Sequence, residues 1–311
     1  MAEQTNRAGY ALLAVLWISL GASAMGITIA LEARSAIATA KNRIALSAAR
    51  WLSEGCATEL RRHSTDSLRM AIDRGAEYAR QRWNDLPVVI AAAVQSGESG
   101  CEVSARPLGA RFPANATSAD TLVRFLRAAG IAGELGDSLA EALLDWTDSD
   151  TVPRPGGAER EWYTARGRAE PSNQPFLDVR ELRLIRGFES GLDTLFEIES
   201  SPTSLYHALP ARLMTVPGFD DELVGHVLEA RTQHEPIASF LELSQGLSRE
   251  GRDQFDRASP QLVASVVLQP EAWIVLIRGH AGLPRVTSVL ELRIAIGGNG
   301  LIVEQRRSWV E

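Results

Sequence analysis

An uncharged apolar run near the beginning of the sequence constrains this chain most. Residues 10–31 read YALLAVLWISLGASAMGITIAL and contain no charged side chain. As an α-helix rising ~1.5 Å per residue, the run extends roughly 33 Å, enough to cross the hydrocarbon core of a bilayer. Because it is apolar on every side, it argues against a helix buried in a soluble domain. We predict a membrane-spanning helix over 10–31. The alternative is a cleaved signal peptide, whose peptidase could recognise Ala22, Ser23 and Ala24.

A short polar segment, MAEQTNRAG, precedes the apolar run and ends in Gly9, and the run opens on the aromatic Tyr10. This arrangement resembles the leader of type IV pilins and type II secretion pseudopilins. In those families a membrane peptidase cuts after the glycine on the cytoplasmic side and methylates the new amino terminus. Glycine suits the cut because it tolerates the backbone conformations that a protease groove imposes. The resemblance implies cleavage between Gly9 and Tyr10, with residues 1–9 as the prepilin leader.

Ala14 departs from the usual pilin pattern. Most members carry glutamate at the fifth position of the mature chain, where it can pair with the amino terminus of a neighbour. Counted from Tyr10, that position is Ala14. A carboxylate inside the membrane is energetically costly and is usually functional, so its absence indicates a subunit that docks differently. Among pseudopilins, this loss is typical of the K component, the large minor pseudopilin.

The first part of the chain beyond the apolar run predicts a stem helix followed by a hairpin. Helical periodicity continues from residue 32 to about Met70 without an interrupting proline, which fits a helix that packs one face on a globular domain. The apolar run 87–94, the polar turn 96–100 and the alternating segment after Cys101 predict a β-hairpin.

Later parts of the chain predict a helical block and then a return to strands. Residues 121–260 are mostly helical with short breaks, whereas 262–268 and 273–278 read as strands. The turn GGNG at 297–300 lies between two alternating segments and predicts a hairpin.

The predicted fold class is α+β, resembling a type IV pilin-like domain with an inserted α-helical domain. The predicted units are the leader 1–9, the transmembrane helix 10–31, the first part of the pilin-like domain 32–115, the inserted α-helical domain 116–260, and the closing strands 261–311.

The segment 214–231, MTVPGFDDELVGHVLEAR, together with the helical sequence from Phe240, resembles a helix-hairpin-helix. In members that bind nucleic acid, backbone N–H groups of a Gly-rich hairpin hold a phosphate. Here the second glycine is missing, and Asp220 and Asp221 stand where the phosphate would approach. The formal net charge of −7 also leaves little counterion release to be gained. We expect a structural element and no nucleic-acid partner.

A cluster of carboxylates occupies LLDWTDSDTVPRPGGAEREWY, residues 143–163. Ca²⁺ takes about six to eight oxygen ligands from carboxylates, carbonyls and water. The first, third and twelfth positions of an EF-hand loop recur in this stretch, but Val152 and Pro153 break its fifth and sixth positions. The carboxylates that a folded-back loop could direct at one ion are Asp145, Asp148, Asp150 and Glu159.

Two other interpretations of this cluster are open on the residues alone. A general acid and base pair is one, although the sequence lacks HExxH, GxSxG and P-loop motifs that would accompany catalysis. A solvated acidic loop with helix-capping aspartates is the other. The pattern D-W-x-D-x-D, followed by G-x-E and an aromatic residue, resembles the signature of the K pseudopilins, whose members bind calcium in their helical domain. The resemblance therefore implies a structural Ca²⁺ ion.

The chain has two cysteines, Cys56 and Cys101. Their spacing is not that of a metal knuckle. A disulfide in an oxidising compartment and two separate buried thiols both fit the sequence. The resemblance to pilins implies a globular part in the periplasm, and that location favours the disulfide.

In their order along the chain, these features resemble the K family of type II secretion minor pseudopilins (general secretion pathway protein K). The resemblance implies a non-enzymatic, single-pass protein of the bacterial inner membrane with a periplasmic body. It would sit at the pseudopilus tip and help to initiate or limit assembly. The implied partners are the I and J minor pseudopilins, the major pseudopilin, the prepilin peptidase and the inner membrane. The alternatives are a minor pilin of a type IV pilus or DNA-uptake machine, and a membrane-tethered hydrolase.

Overall fold

A single helix, α1 (Glu3–Arg74), makes up the first quarter of the molecule. The computed structural model describes residues 3–95, 100–115, 118–131, 133–233, 237, 239–297 and 300–311, with side chains from residue 12 onward except at 92–95. By length and composition, α1 is long and apolar enough to cross a membrane. Its most apolar 18-residue segment is not buried against the rest of the protein. Gly9 and Tyr10 lie in α1, but their side chains fall outside the described ones, so the processing site stays a prediction.

The second half of α1 packs on the rest of the protein through one face. Its buried positions recur every three or four residues, which is the spacing of a single helical stripe. They are Ala45, Ala49, Ser53, Cys56, Leu60, Ser64, Leu68 and Ala71. The predicted stem helix is therefore present, and it continues the apolar segment without a break.

Two short helices follow, α2 (Ala76–Asn84) and α3 (Leu86–Gln95). The hairpin predicted from the run 87–94 is wrong, because this run is helical. Leu86, Val89 and Ile90 are buried while Val88 is 65% exposed, a helical rather than an alternating pattern. A short apolar run does not by itself distinguish a buried strand from a buried helix.

Four antiparallel strands form the main sheet in the order β1, β6, β7, β8. They are β1 (Cys101–Pro107), β6 (Ala272–Ala281), β7 (Val286–Gly297) and β8 (Gly300–Val310). One face packs on α1, α2 and α3 and contains Trp273, whose ring meets Trp83 edge-on at 6.3 Å. The predicted closing hairpin is confirmed by the pairing of β7 with β8; residues 298–299 of its turn lie outside the described residues.

The chain between β1 and β6 is mainly helical and is organised around two cores. One core contains Phe112, Phe125, Trp146 and Tyr163, and the other contains Leu213 with the apolar residues around it. The elements are β2 (Phe112–Pro113), α4 (Ala119–Ala128), α5 (Glu134–Thr147), α6 (Arg160–Thr164), 3-10 helices Val179–Leu184 and Leu192–Leu195, β3 (Phe196–Glu197), β4 (Thr203–Ser204), α7 (Pro210–Leu213), α8 (Asp221–Gln233), α9 (Phe240–Gln245), α10 (Arg249–Ser265) and β5 (Val266–Val267).

The α+β fold class is confirmed, with a long apolar helix, an antiparallel sheet and a helical region between β1 and β6. The strand predicted over 262–268 is mostly wrong, because α10 extends to Ser265 and only Val266–Val267 are extended. The helix continues past Pro260, through the predicted boundary of the inserted domain. The domain limits themselves stay a prediction.

The helix-hairpin-helix-like segment is packed into the second core. Gly218 has φ +82°, and a Cβ there would lie 2.3 Å from the Cβ of Ala258 on α10. Asp220 Oδ1 accepts a hydrogen bond from the Leu223 backbone N–H at 2.9 Å and so caps α8. Both contacts are structural, as the sequence predicts for this element.

Candidate metal site

The acidic segment lies between α5 and α6, whose aromatic residues fix the two ends of the loop. Trp146 near the end of α5 meets Tyr163 of α6 edge-on at 5.2 Å, and both rings are buried. Asp148 is the residue at which α5 ends, and Glu159 is the N-cap of α6. The aromatic contact thus brings the two carboxylates together across a loop of ten intervening residues, 149–158.

Three of the predicted ligands form one group. Asp148, Asp150 and Glu159 each place a carboxylate oxygen within 4.8 Å of the other two. Glu159 is only 4% exposed. Asp148 Oδ1 and Glu159 Oε1 are buried and have no hydrogen-bond partner among the described residues. Buried polar atoms are normally satisfied, and hard carboxylate oxygens suit Ca²⁺, so the group fits a divalent cation.

The electrostatics of Glu159 also favour a cation. Burial raises the pKa of Glu159 first, the N–H of Arg160 opposes that effect, and the charges of Asp145, Asp148 and Asp150 raise it further. The carboxylate is thus held among like charges in a poorly hydrated place, where a bound cation would stabilise its ionised form.

Asp145 lies apart from this group. It is fully buried on α5 and accepts hydrogen bonds from Arg154, through the backbone N–H at 3.1 Å and Nη1 at 2.6 Å. Arg154 Nη1 also pairs with Asp148. Arg154 therefore neutralises Asp145 from within the chain, and the described geometry brings together three of the four predicted ligands rather than all four.

Two glycines let the loop lie directly on α5. A Cβ on Gly157 would come 2.0 Å from Oδ2 of Asp145, and one on Gly156 would come 2.5 Å from Oε2 of Glu141. The Glu141 carboxylate accepts the N–H of Gly156. The roles of Arg154, Glu141 and these glycines are not predicted from the sequence. The Pro-Gly-Gly sequence at 155–157 was the available signal, since adjacent glycines mark a close backbone approach.

The two cysteines are joined. Cys56 on α1 and Cys101 at the start of β1 form a disulfide with their Cα atoms 6.7 Å apart. The bond ties the stem helix to the edge strand of the sheet, within the core that α1 shares with β6 and β7.

Comparison with known proteins identifies the part of the chain that holds the acidic loop. Residues 94–193 match the family model described as "Type II secretion system (T2SS), protein K". This segment is therefore similar to the type II secretion protein K family. It runs from the end of α3 to the 3-10 helix Leu192–Leu195, and therefore includes Asp148, Asp150 and Glu159.

Two further similarities involve the same family. Over 55 residues, 17% of this chain, the sequence is 46% identical to type II secretion system protein K of Klebsiella pneumoniae. The aligned part covers 17% of that protein, so the chain spans about a sixth of the length of this curated relative. A crystal structure of the GspK-GspI-GspJ complex from the type 2 secretion system of enterotoxigenic Escherichia coli is similar with a TM-score of 0.48 and 16% identity, over 67% of this chain and 79% of that one.

Proposed function

We propose that this chain is the K-type minor pseudopilin of a type II secretion system, a structural component without catalytic activity. The observation that carries the proposal is the protein K segment at 94–193, preceded by a continuous apolar helix. The first part of α1 would anchor the protein in the inner membrane and leave the body in the periplasm.

The two faces of the sheet suit such a role. Side chains alternate between faces along a strand: Trp273, Val275 and Ile277 face α1, and Ile274 and Leu276 face the other way. On that second side the helical region contacts the sheet, where Arg293 pairs with Glu199 and Arg180 stacks over Trp309 at 5.1 Å. The helical region thus adds bulk opposite the stem, and we propose that this bulk prevents a further subunit from adding above it.

The proposed partners follow from this position. By analogy with the complex named for the similar crystal structure, they are the I and J minor pseudopilins, and the major pseudopilin would follow below. The prepilin peptidase would cut between Gly9 and Tyr10 and methylate Tyr10. Ala14, in place of the usual glutamate, suits a subunit that has no further one to recruit through that position.

Amino-terminal analysis of the full-length protein from membranes tests this proposal. We expect the mature chain to begin at N-methyl-tyrosine 10, and co-purification with the I and J components. An intact Met1 or a start near Met25 would exclude pilin-type processing. Correct processing without I and J, combined with specific DNA binding, would favour a minor pilin of a DNA-uptake machine.

We further propose that Asp148, Asp150 and Glu159 hold a structural Ca²⁺ ion, with loop carbonyls and water completing its coordination. Asp145 would not bind the ion itself. It would fix the path of the loop through its hydrogen bonds with Arg154. The two buried carboxylate oxygens without partners support this assignment. When bound, the ion would supply only charge and coordination, and so stiffen the connection between α5 and α6.

A further inference from the structure

Three guanidinium groups surround one indole ring on the surface of the helical region. The Cζ atoms of Arg166, Arg186 and Arg168 lie 4.3, 5.4 and 5.8 Å from the centre of the Trp162 ring. We name Trp162, Arg166, Arg168 and Arg186 the Arg–Trp cluster. Arg166 and Arg168 are exposed, and Trp162 is half-buried.

The fold holds the cluster in place from two separate segments. The Trp162 ring meets Tyr163 edge-on at 5.0 Å, which fixes the indole against the first core. Gly167 has φ +63°, a left-handed conformation that turns the chain between Arg166 and Arg168. Arg186 follows the 3-10 helix Val179–Leu184 in the chain, and its Nη1 donates a hydrogen bond to the Gly157 carbonyl at 2.7 Å.

The cluster differs from its neighbours in lacking acidic partners. The four other arginines of residues 154–183 each pair with a carboxylate: Arg154 with Asp145 and Asp148, Arg160 with Glu170, Arg180 with Asp178, and Arg183 with Asp193. Within the described residues, the guanidinium groups of the cluster form no ion pair. Three like charges are thus gathered on one aromatic ring, and no described carboxylate pairs with them.

We propose that the Arg–Trp cluster is a docking surface for a carboxylate-rich segment of a partner protein. A guanidinium is planar and offers paired N–H donors that match a carboxylate. Stacking on the indole orients that plane without using all of its donors. An arriving pair of carboxylates would meet preoriented donors and relieve the repulsion among the three cations.

The surrounding charge favours a short acidic protein segment over an extended polyanion. The chain as a whole has a formal net charge of −7, and the acidic residues Glu161 and Glu170 flank the segment Trp162–Arg168 in the sequence. Nucleic acid or an anionic membrane presents a broad negative surface that would meet these acids as well. A few carboxylates on a flexible segment can contact the cluster alone. This assignment does not depend on the proposed pseudopilin function.

A charge-matched pair of variants tests the surface. Full-length protein in a neutral detergent is titrated against fluorescein-labelled deca-glutamate at low ionic strength, with deca-glutamine as the uncharged probe. The test variant is R166Q/R168Q, which leaves the hydrogen bond from the half-buried Arg186 to the Gly157 carbonyl in place. The control is R124Q/R127Q, which removes the same charge from exposed positions on α4. Thermal melts confirm that both variants fold.

We expect deca-glutamate to bind the wild-type protein and the control with affinities within about twofold, and R166Q/R168Q to bind about tenfold more weakly. Equal weakening in both variants, or no difference between deca-glutamate and deca-glutamine, would overturn the proposal. Duplex DNA and phosphatidylglycerol vesicles are titrated in parallel. Tighter binding of either one that depends on Arg166 and Arg168 would overturn the assignment to a protein partner.

Discussion

Arg154 donates from the same Nη1 atom to the carboxylates of Asp145 and Asp148. Asp145 is fully buried, while Asp148 is only half-buried. The carboxylates of this loop therefore differ in their surroundings. Asp145 is neutralised by the chain itself, whereas Asp150 and Glu159 lack a paired cation among the described residues. The two kinds should respond differently to substitution.

We expect Asp145→Asn to lower the free energy of unfolding by about 2 kcal/mol, with or without calcium, because it weakens a buried, charge-assisted hydrogen bond. Urea unfolding of the full-length protein in detergent, in chelator and then in excess Ca²⁺, measures this. A loss seen only in Ca²⁺ would instead make Asp145 a ligand.

Calcium itself should raise the unfolding midpoint of the wild-type protein. At a concentration of about 100 times the dissociation constant, a ligand of the native state adds roughly 2.7 kcal/mol. Asp150→Asn should remove most of that gain while leaving stability in chelator nearly unchanged, since asparagine can still accept the Val152 N–H. Asp256→Asn, an exposed acid on α10, is the matched control and should retain the full gain. An identical midpoint with and without Ca²⁺ in the wild-type protein would exclude a structural ion.

The sequence contains the residue types of this loop but not their pairings. Alternating apolar positions predict β7 and β8 correctly, because the pattern and the Gly-rich turn agree. The helix α3 is not predicted, because a short buried run has no period that distinguishes a strand from a helix. Proline usually ends a helix, whereas α10 continues through Pro260 and buries Leu262 beyond it. Arg154 could not be assigned to Asp145 from sequence, since that contact depends on Gly157 letting the loop approach α5.

A buried glutamate should make stability fall as the pH rises. Glu197 is 1% exposed, and its Oε1 accepts from the Gly109 N–H at 3.1 Å and the Ser201 hydroxyl at 3.2 Å. Burial raises the pKa of Glu197 to about 7, against the opposing charges of Arg106 and Arg212. The folded state therefore holds this proton more tightly than the unfolded state. Its contribution is fully present below the unfolded pKa of 4.5 and is lost as the pH rises through about 7.

Glu197→Gln should abolish this part of the pH dependence and stabilise the protein above neutral pH, by up to roughly 3 kcal/mol. Unfolding free energies measured from about pH 5 to about pH 8 cover most of the interval over which this contribution changes. The exposed Glu229→Gln should behave like the wild-type protein. A parallel pH profile for Glu197→Gln and wild type would contradict the assignment.

His207 should give a dependence of opposite sign. Its Nε2 bonds the Asn84 carbonyl at 3.2 Å, its Nδ1 bonds the Ser204 hydroxyl at 3.3 Å, and its ring packs edge-on against Trp273 at 5.1 Å. Burial lowers the pKa of His207 to about 4. Its contribution is thus present above the unfolded pKa of 6.5 and is lost as the pH falls toward about 4.

In a Glu197→Gln background, the free energy of unfolding should fall from pH 6.5 toward pH 4, and adding His207→Gln should flatten that slope. A slope that survives the second substitution would place its origin in other groups.

The disulfide between Cys56 and Cys101 should contribute a large share of the stability of the sheet against α1. It closes a sequence separation of 45 residues, for which the chain-entropy model gives about 4 kcal/mol. We expect reductant to lower the urea midpoint of the wild-type protein, and Cys56→Ala/Cys101→Ala to show the lowered midpoint with no further response to reductant. The double variant is therefore the control for any other effect of the reductant. Two free thiols in the unfolded, unreduced protein would show that the two cysteines are not bonded in the native protein. In that case the urea midpoint of the wild-type protein would not respond to reductant.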